Sequence, residues 1–218
     1  MSRSKSSHAW LKEHFSDPFV KRAWQEGYRS RAAYKLEWIQ KKDKIFKKGM
    51  TVVDLGAAPG GWAQVASLSV GKEGRVVALD CLPILPLPHV HCIQGDFREA
   101  CIIQQLMNTL SDKKVDCVLS DLAPNLSGNR HVDLPKMIGL IELVMEFAYP
   151  VLKPGGTLLT KIFQGEGFDA VLSDLRKHFK TVVIRKPEAS RDRSRECYLL
   201  ARDYLGESTS IAPSLHKI

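Results

Sequence analysis

A glycine-rich turn after the first apolar run of the chain is the feature best suited to bind a small molecule. The segment VVDLGAAPGGW, residues 52–62, predicts a strand, a turn and a helix that begins near Gly60. In doubly wound sheets such a turn binds nucleotide-like ligands, because glycines let the backbone approach the ligand closely. The spacing is not the G-x-G-x-x-G of dehydrogenases, and Pro59 removes a backbone donor that a phosphate would need. A ligand without a diphosphate therefore fits this turn better.

Three carboxylates lie at the ends of successive predicted strands. Asp54 belongs to the first, Asp80 follows the second, and Asp96 follows the third in QGDF. A carboxylate like Asp80 is placed to accept hydrogen bonds from ribose hydroxyls, and Asp96 is placed to meet the exocyclic amine of adenine. Each acid alone is better explained as a loop acid or a helix cap. Together they indicate an adenosine-containing ligand, of which S-adenosylmethionine is the usual one without a diphosphate.

The segment after the fourth predicted strand, residues 120–125, lies where this fold presents a substrate to the ligand. It lacks the Asn/Asp-Pro-Pro-aromatic element of enzymes that methylate amines, and Asn125 stands where a cytosine carbon-5 enzyme has its cysteine nucleophile. Lys161 lies in the apolar fifth strand, where burial is costly unless the amine is paired or functional. For Lys35 and Glu196, taken singly, ordinary salt bridging is the simpler explanation.

From residue 50 onwards, short apolar runs alternate with helical patterns, which predicts a sheet covered by helices on both faces. The predicted strands are 51–55, 75–79, 90–94, 115–120, 157–163, 181–185 and 196–202. The predicted helices between them are 60–68, 99–110, 133–149 and 168–179. The last connection has no helical pattern, so the last strand should pair antiparallel. We therefore expect an α/β fold with a doubly wound, mostly parallel seven-stranded sheet.

Residues 8–48 have helical patterns and precede this sheet. Ser16-Asp17-Pro18 predicts a helix start, with Asp17 as cap and Pro18 at the first helical position. A second helix is predicted from Ser30 to about Lys48, with apolar residues at helical spacing. We expect residues 1–48 to form a basic helical extension that contacts RNA, residues 49–204 the methyltransferase domain, and residues 205–218 a polar tail.

The positive charge of the chain is concentrated in two segments. Residues 1–48 hold 13 Lys or Arg and 5 Asp or Glu, whereas residues 49–218 hold 19 of each, so the extension carries the net charge of +8. Residues 176–195 hold a local excess of 8 basic over 2 acidic residues. Two basic segments beside a neutral core favour a polyanionic partner over a simple solvated face.

Composition excludes several classes of protein. No apolar run is long enough to span a membrane, and the first residues lack the apolar core of a secretory signal, so we expect a cytoplasmic protein without a membrane partner. The five cysteines are odd in number, and none has C-x-x-C spacing, so neither a disulfide framework nor a metal site is indicated. We expect a monomer.

Seven segments together resemble the FtsJ/RrmJ family of RNA 2′-O-ribose methyltransferases, over about residues 10–204. They are WLKEHFSDPFV, RSRAAYKL, VVDLGAAPGGW, QGDFR, SDLAPNLSG, KIFQGEGFD and RKPEASRDRSRE. The resemblance implies the Rossmann-like fold of class I S-adenosylmethionine-dependent methyltransferases. It implies that the catalytic tetrad is Lys35, Asp121, Lys161 and Glu196. It also implies that the donor-binding residues are Gly60, Trp62, Asp80, Asp96 and Asp121.

Within this family the chain is most similar to bacterial members that methylate a uridine ribose in the A-loop of the peptidyl-transferase centre. The resemblance therefore implies large-subunit rRNA, or the assembled or assembling large ribosomal subunit, as partner and S-adenosylhomocysteine as product. Relatives that act on tRNA or mRNA caps use similar tetrads, so residue chemistry leaves these substrates open. A non-catalytic ribosome-assembly factor on the same scaffold is the alternative from another class, and the missing G-x-G-x-x-G disfavours a nicotinamide-dependent oxidoreductase.

The sequence leaves the role of Lys161 open between general base and orienting group. A lysine base would need its pKa lowered to roughly 7–8 by burial and neighbouring cations. Lys35 is a neighbouring cation of that kind. Asp121 and Glu196 favour the charged amine and oppose such a shift.

Overall fold

Strands and helices alternate in the computed structural model, which describes residues 16–111, 113–190 and 194–206. The helices are α1 (Pro18–Glu26), α2 (Ala33–Asp43), α3 (Gly61–Val70), α4 (Ala100–Leu110), α5 (Arg130–Val151) and α6 (Phe168–His178). The strands are β1 (Thr51–Leu55), β2 (Arg75–Asp80), β3 (Val90–Gln94), β4 (Val115–Ser120), β5 (Leu152–Phe163), β6 (Phe179–Arg185) and β7 (Glu196–Tyr204). Within these described ranges, no helix has the length and apolar character needed to cross a bilayer.

The strands form one seven-stranded sheet in the order β3-β2-β1-β4-β5-β7-β6. β7 pairs antiparallel with both β5 and β6, and the other neighbouring strands pair parallel. The predicted fold class and the antiparallel last strand are therefore confirmed. The strands β2 and β3 lie on one side of β1, and the strands β4 to β7 lie on the other. The point at which the strand order reverses is therefore between β1 and β4. Doubly wound sheets bind their ligands outside the carboxyl ends of the strands at this point.

The sheet buries a separate apolar core on each face. Alternating residues of β1 face opposite sides, so Val53 packs with α4, α5 and α6, whereas Val52 packs with α2 and α3. The α2 side chains Ala33, Leu36 and Ile39 are fully buried in the second core. The helix α2 is therefore packed onto the sheet, on the same face as the helix that follows the glycine-rich turn.

Several element boundaries differ from the sequence prediction. The second helix spans Ala33–Asp43 rather than residues 30–48, because Lys44 adopts a left-handed conformation with φ of 51° and ends it. α5 begins at Arg130 rather than Asp133, because the Asn129 side chain caps it by accepting a hydrogen bond from the His131 amide. β5 begins at Leu152 rather than Thr157.

The early start of β5 has a pairing reason. Leu152 pairs with Val115 before the register shifts, and regular pairing with β4 resumes at Thr157. The Pro-Gly-Gly stretch between them is not typical of a strand, so the sequence pattern does not indicate this pairing.

The predicted start of α1 is confirmed, since the Asp17 carboxylate accepts a hydrogen bond from the Phe19 amide at 2.9 Å. Residues 8–15 of the predicted helical segment and residues 207–218 of the predicted tail lie outside the described residues.

Candidate active site

The glycine-rich turn connects β1 to α3 at the carboxyl end of the sheet. Gly56 has a φ of 76°, and a Cβ atom there would lie 2.8 Å from the backbone nitrogen of Leu122. Gly60 has a φ of 112° and forms the N-cap of α3, and the Ala58–Pro59 peptide bond is cis. Both glycines are required by their positive φ, because a side chain in this region is strained. The turn therefore lies tightly against the segment that follows β4.

Asp80, at the end of β2, holds this turn in place. One carboxylate oxygen accepts a hydrogen bond from the Ala58 amide at 2.9 Å, and the other accepts one from the Leu82 amide at 2.8 Å. The oxygen that accepts from Leu82 also accepts from the Cys81 thiol at 3.5 Å, whereas the oxygen that accepts from Ala58 has a second lone pair for a further donor. Asp80 therefore fixes two loop segments and retains capacity to bind hydroxyl groups.

Asp96 lies after β3 and faces the same cavity as Asp80. The cavity has a volume of about 480 Å³, and Leu122, Pro124 and Gly139 line it as well. Arg98 donates to both Asp96 carboxylate oxygens, and these hydrogen bonds lower the pKa of Asp96 to about 2. The carboxylate is therefore ionised, and its acceptor oxygens lie at the wall of a cavity large enough for a nucleoside.

Asp54 is fully buried at the end of β1, and no hydrogen bond satisfies either of its carboxylate oxygens. Burial raises the pKa of Asp54 well above its usual range, and the charges of Asp121 and Asp80 raise it further. Three carboxylates thus converge beside the turn. S-adenosylmethionine carries positive charge on its sulfonium and ammonium groups, so the residues present fit this donor.

The structure brings the four tetrad residues together in one chain of contacts. The Lys161 amine lies 2.7 Å from a carboxylate oxygen of Asp121 and 3.8 Å from one of Glu196. It also donates to the Asp121 backbone carbonyl at 2.8 Å. On the far side of Glu196, Lys35 of α2 lies 2.5 Å from the other carboxylate oxygen. The Asp121 amide donates to the Leu55 carbonyl at 3.0 Å, which places this chain beside the glycine-rich turn.

Lys161 is buried, with 7% of its surface exposed. Burial is the largest influence on its pKa and lowers it, but the charges of Asp121 and Glu196 together outweigh burial and raise the pKa above the ordinary value. The amine is therefore an ammonium group at neutral pH in this structure. This charge favours an orienting and electrostatic role over that of a general base.

Comparison with known proteins assigns this arrangement to a family. A profile of FtsJ-like methyltransferases matches residues 28–204, which is most of the chain. The chain belongs to the FtsJ-like methyltransferase family. The predicted family, enzyme class and class I S-adenosylmethionine-dependent fold are confirmed, and with them the predicted cofactor.

Relatives of nearly the same length carry a more specific name. A protein named ribosomal RNA large subunit methyltransferase E from Hydrogenovibrio crunogenus is 56% identical over 202 residues, which are 93% of this chain and 98% of that protein. The protein of the same name from Pseudomonas fluorescens is 54% identical over 208 residues, covering 95% and 100%.

Solved structures show the same architecture. A Plasmodium falciparum protein described as a ribosomal RNA methyltransferase superposes with a TM-score of 0.75 at 30% identity, over 83% of this chain and all of that one. Aeropyrum pernix fibrillarin, solved with natively bound S-adenosylmethionine, shares the fold with a TM-score of 0.53 at 20% identity, over 80% of this chain and 75% of fibrillarin.

In this FtsJ-like site, Tyr198 is a central residue that the sequence reasoning did not identify. Its hydroxyl lies 2.8 Å from Asp121 and 3.2 Å from Glu196, and its side chain is fully buried. Burial, then the two carboxylates, raise the pKa of Tyr198 well above its usual range, so the phenol keeps its proton. Strand alternation from Glu196 places Tyr198 on the same face, and that spacing is the signal that could have found it.

The indole of Trp62 faces the protein interior rather than the cavity. Its N–H donates to the Ala32 carbonyl at 2.8 Å, and its ring packs 5.4 Å from that of Tyr198. Only 2% of the residue is exposed. The donor-binding role expected for Trp62 stays a prediction, in which the backbone at the start of α3, rather than the indole, would contact the donor.

Among the described residues, no group of three or more His, Cys, Asp or Glu side chains is arranged to hold a metal ion.

Proposed function

We propose that this FtsJ-like methyltransferase methylates a ribose 2′-hydroxyl in large-subunit ribosomal RNA. The observation that carries the proposal is the contact chain from Lys35 through Glu196 and Lys161 to Asp121, directly beside the glycine-rich turn. It presents a buried cation where an oxygen nucleophile would lie, and Asn125 offers no cysteine for covalent attack on a base. The name of the relatives supports ribosomal RNA as substrate.

The donor site is proposed to lie between the turn and the cavity. S-adenosylmethionine supplies a methyl group activated by its positively charged sulfur. Gly60 and the start of α3 would approach its amino-acid portion, Asp80 would accept hydrogen bonds from its ribose, and Asp96 from its adenine amine. Asp121, whose carboxylate lies 2.7 Å from the Lys161 amine, would supply negative charge beside a cationic donor. Asp80 and Asp96 both line the cavity, which supports their assignment to the adenosine portion.

The tetrad residues are proposed to position the ribose hydroxyl and stabilise the charge that develops on its oxygen. The Lys161 ammonium would attract the ribose oxygen while this oxygen takes the methyl group from the sulfur of the donor, and the hydroxyl proton would pass to solvent water. Asp121 and Glu196 hold Lys161 in place, and Lys35 balances the charge of Glu196. Much of the rate enhancement then comes from alignment of hydroxyl and donor.

The N-terminal segment is proposed to contribute the RNA contact through its unpaired lysines. Several of its cations are engaged within the protein, including Arg22 with Glu26 and Arg31 with Asp17. Five exposed lysines lie at or beyond the end of α2, of which Lys48 donates to the Leu68 carbonyl at 3.2 Å. The other four, for which no carboxylate partner is found among the described residues, are Lys41, Lys42, Lys44 and Lys47. Lysines of this kind neutralise phosphates without reading sequence. We therefore assign phosphate contact to this group, which we call the α2 lysine cluster.

The finer assignment is a uridine in the A-loop of the peptidyl-transferase centre. It follows from the resemblance of the whole chain to bacterial members with that substrate. We also propose that the protein acts in the cytoplasm as a monomer, on the assembled or assembling large subunit. A tRNA substrate is the principal alternative, because the tetrad does not distinguish between RNAs.

Mapping of modified nucleotides tests the proposed substrate. The purified protein is incubated with S-adenosylmethionine and, in parallel, with unmodified large subunits, protein-free large-subunit rRNA or tRNA. We expect a new 2′-O-methyl uridine in the A-loop of the large-subunit RNA and none in tRNA. Methylation of tRNA alone would overturn the substrate, and a protein that calorimetry shows does not bind the donor would be a non-catalytic factor.

A further inference from the structure

Arg29, in the connection between α1 and α2, joins three parts of the chain through backbone carbonyls. Its guanidinium donates to the Pro59 carbonyl at 3.2 Å, the Leu85 carbonyl at 2.6 Å and the Pro86 carbonyl at 2.8 Å. Pro59 belongs to the glycine-rich turn, and the other two belong to the proline-rich loop of residues 81–89. A planar guanidinium with donors in fixed directions suits this geometry, and a lysine amine does not.

Asp80 joins the same two segments from the opposite side. It accepts the Ala58 amide of the turn and the Leu82 amide of the loop. The turn and the loop are therefore held together at two places, once by an anion that accepts backbone N–H groups and once by a cation that donates to backbone carbonyls. Asp80 lines the cavity, whereas Arg29 contacts the turn at Pro59 and Gly60.

Further contacts show that neighbouring side chains fill the space around Gly60. A Cβ atom on Gly60 would lie 2.9 Å from the Arg29 guanidinium and 3.1 Å from the Leu87 side chain. The Ser67 hydroxyl of α3 donates to the Pro88 carbonyl at 3.0 Å and fixes the end of the loop. The Arg29 amide donates to Gln64 of α3 at 2.9 Å. The position of the turn thus depends on the N-terminal segment.

We propose that Arg29 is a positioning residue for the methyl donor, which sets the spacing between the glycine-rich turn and the proline-rich loop around Asp80. The inference rests on the proposed donor site. It gives the basic N-terminal segment a second role, in which one of its arginines builds the donor site while its unpaired lysines face RNA. Three of the five guanidinium N–H groups are used within the protein, so phosphate binding is not required to explain this arginine.

Equilibrium binding separates the donor role of Arg29 from an RNA role. In Arg29→Gln, we expect the Kd for S-adenosylmethionine to rise about tenfold or more, because hydrogen bonds from a charged group are lost. The KM for the donor should rise in parallel, while kcat at saturating donor and the Kd for RNA change less than twofold. Arg29→Lys should recover only part of the donor affinity. The matched control is Arg22→Gln, which removes an exposed arginine of α1 that, among the described residues, pairs with Glu26 of its own helix and with the Tyr34 ring.

Hydrogen exchange supplies a readout that needs no substrate. Loss of Arg29 should speed amide exchange in residues 56–61 and 81–89 together, and Arg22→Gln should leave both segments unchanged. Unchanged donor affinity in Arg29→Gln would overturn the proposal, and so would a loss of RNA affinity with donor affinity intact, which would make Arg29 an RNA contact. Failure of the wild-type protein to bind the donor would instead refute the proposed function itself.

Discussion

At the scale of single residues, the protonation of each buried group in the site depends on the charges and hydrogen-bond partners around it. Lys161 has two carboxylates and a carbonyl around it, so its amine keeps a proton although it is buried. Asp54 has no hydrogen-bond partner, and its pKa moves in the direction that favours the neutral acid. The same physical terms, burial and neighbouring charge, therefore leave one group charged and drive the other towards neutrality.

The raised pKa of Asp54 predicts a pH dependence of stability. The folded protein holds the Asp54 proton above the unfolded pKa of about 3.9, so the unfolded state binds fewer protons there and stability falls as pH rises. The slope reaches about 1.4 kcal/mol per pH unit from this group and ends at the folded pKa. Urea unfolding of the donor-free protein at a series of pH values measures it. The Asp54→Asn variant should lack this component, and identical slopes in the two proteins would contradict the assignment.

Sequence reasoning reached the charged residues of the site better than the neutral ones. Lysine and carboxylate in an apolar strand are visible as exceptions, so Lys161 and Glu196 could be singled out before the structure. Tyr198 is not singled out in this way, because an aromatic residue in a strand is usually a core residue and its alternation with Glu196 is a weak signal. The pairing of Lys161 with Tyr198 across β5 and β7 places the phenol within the tetrad.

At the scale of elements, α2 connects the α2 lysine cluster, which we propose contacts RNA, to the tetrad residues. Its buried face packs against α3 and the sheet, and Lys35 projects from it to Glu196. Its far end is held by Asp43, which accepts two hydrogen bonds from Arg185 of β6, at 2.8 and 2.6 Å. Helical periodicity predicted the buried face, but the end of the helix depends on a left-handed Lys44 that no propensity indicates.

Removing the buried Leu36 side chain of α2 should lower both the stability and the activity of the protein. Leu36 is fully buried, so Leu36→Ala should lower the free energy of unfolding by about 2–5 kcal/mol through lost contacts and a cavity. Because Lys35 is the preceding residue, turnover should fall even at temperatures where the variant stays folded. Leu68→Ala, at a leucine that is 69% exposed on α3, is the control and should change unfolding by less than about 0.5 kcal/mol. Equal effects of the two substitutions would be inconsistent with this packing.

At the scale of the whole molecule, negative and positive charges are concentrated in different regions. The carboxyl ends of β1, β2 and β4 carry the acids Asp54, Asp80 and Asp121 beside the proposed donor site. The excess positive charge lies in the N-terminal segment and near β6. The distribution of charge could be predicted from the sequence alone. Which cations are paired within the protein and which are free could not, because the partners of Arg29, Arg31 and Arg185 are distant in sequence.

The α2 lysine cluster should make RNA binding strongly dependent on salt. Replacing Lys41, Lys42, Lys44 and Lys47 with glutamine should weaken RNA binding and reduce the slope of log K against log salt by up to about 3 to 4, since each lost phosphate contact lowers it by roughly 0.7 to 0.9. Donor affinity should stay unchanged. The control replaces Lys113, an exposed lysine between α4 and β4, on the face of the sheet opposite to the one that α2 covers. An unaltered slope in the cluster variant would place the RNA elsewhere.

The central claim is that the tetrad around Lys161 carries out methyl transfer to a ribose hydroxyl beside an independently formed donor site. Single-turnover methyl transfer by Lys161→Ala, measured together with its Kd for S-adenosylmethionine, tests it most directly. We predict loss of transfer by at least about a hundredfold, since one electrostatic stabiliser is removed from the transition state, with donor affinity within about threefold of wild type. Transfer at the wild-type rate in a variant that still binds the donor would contradict the account.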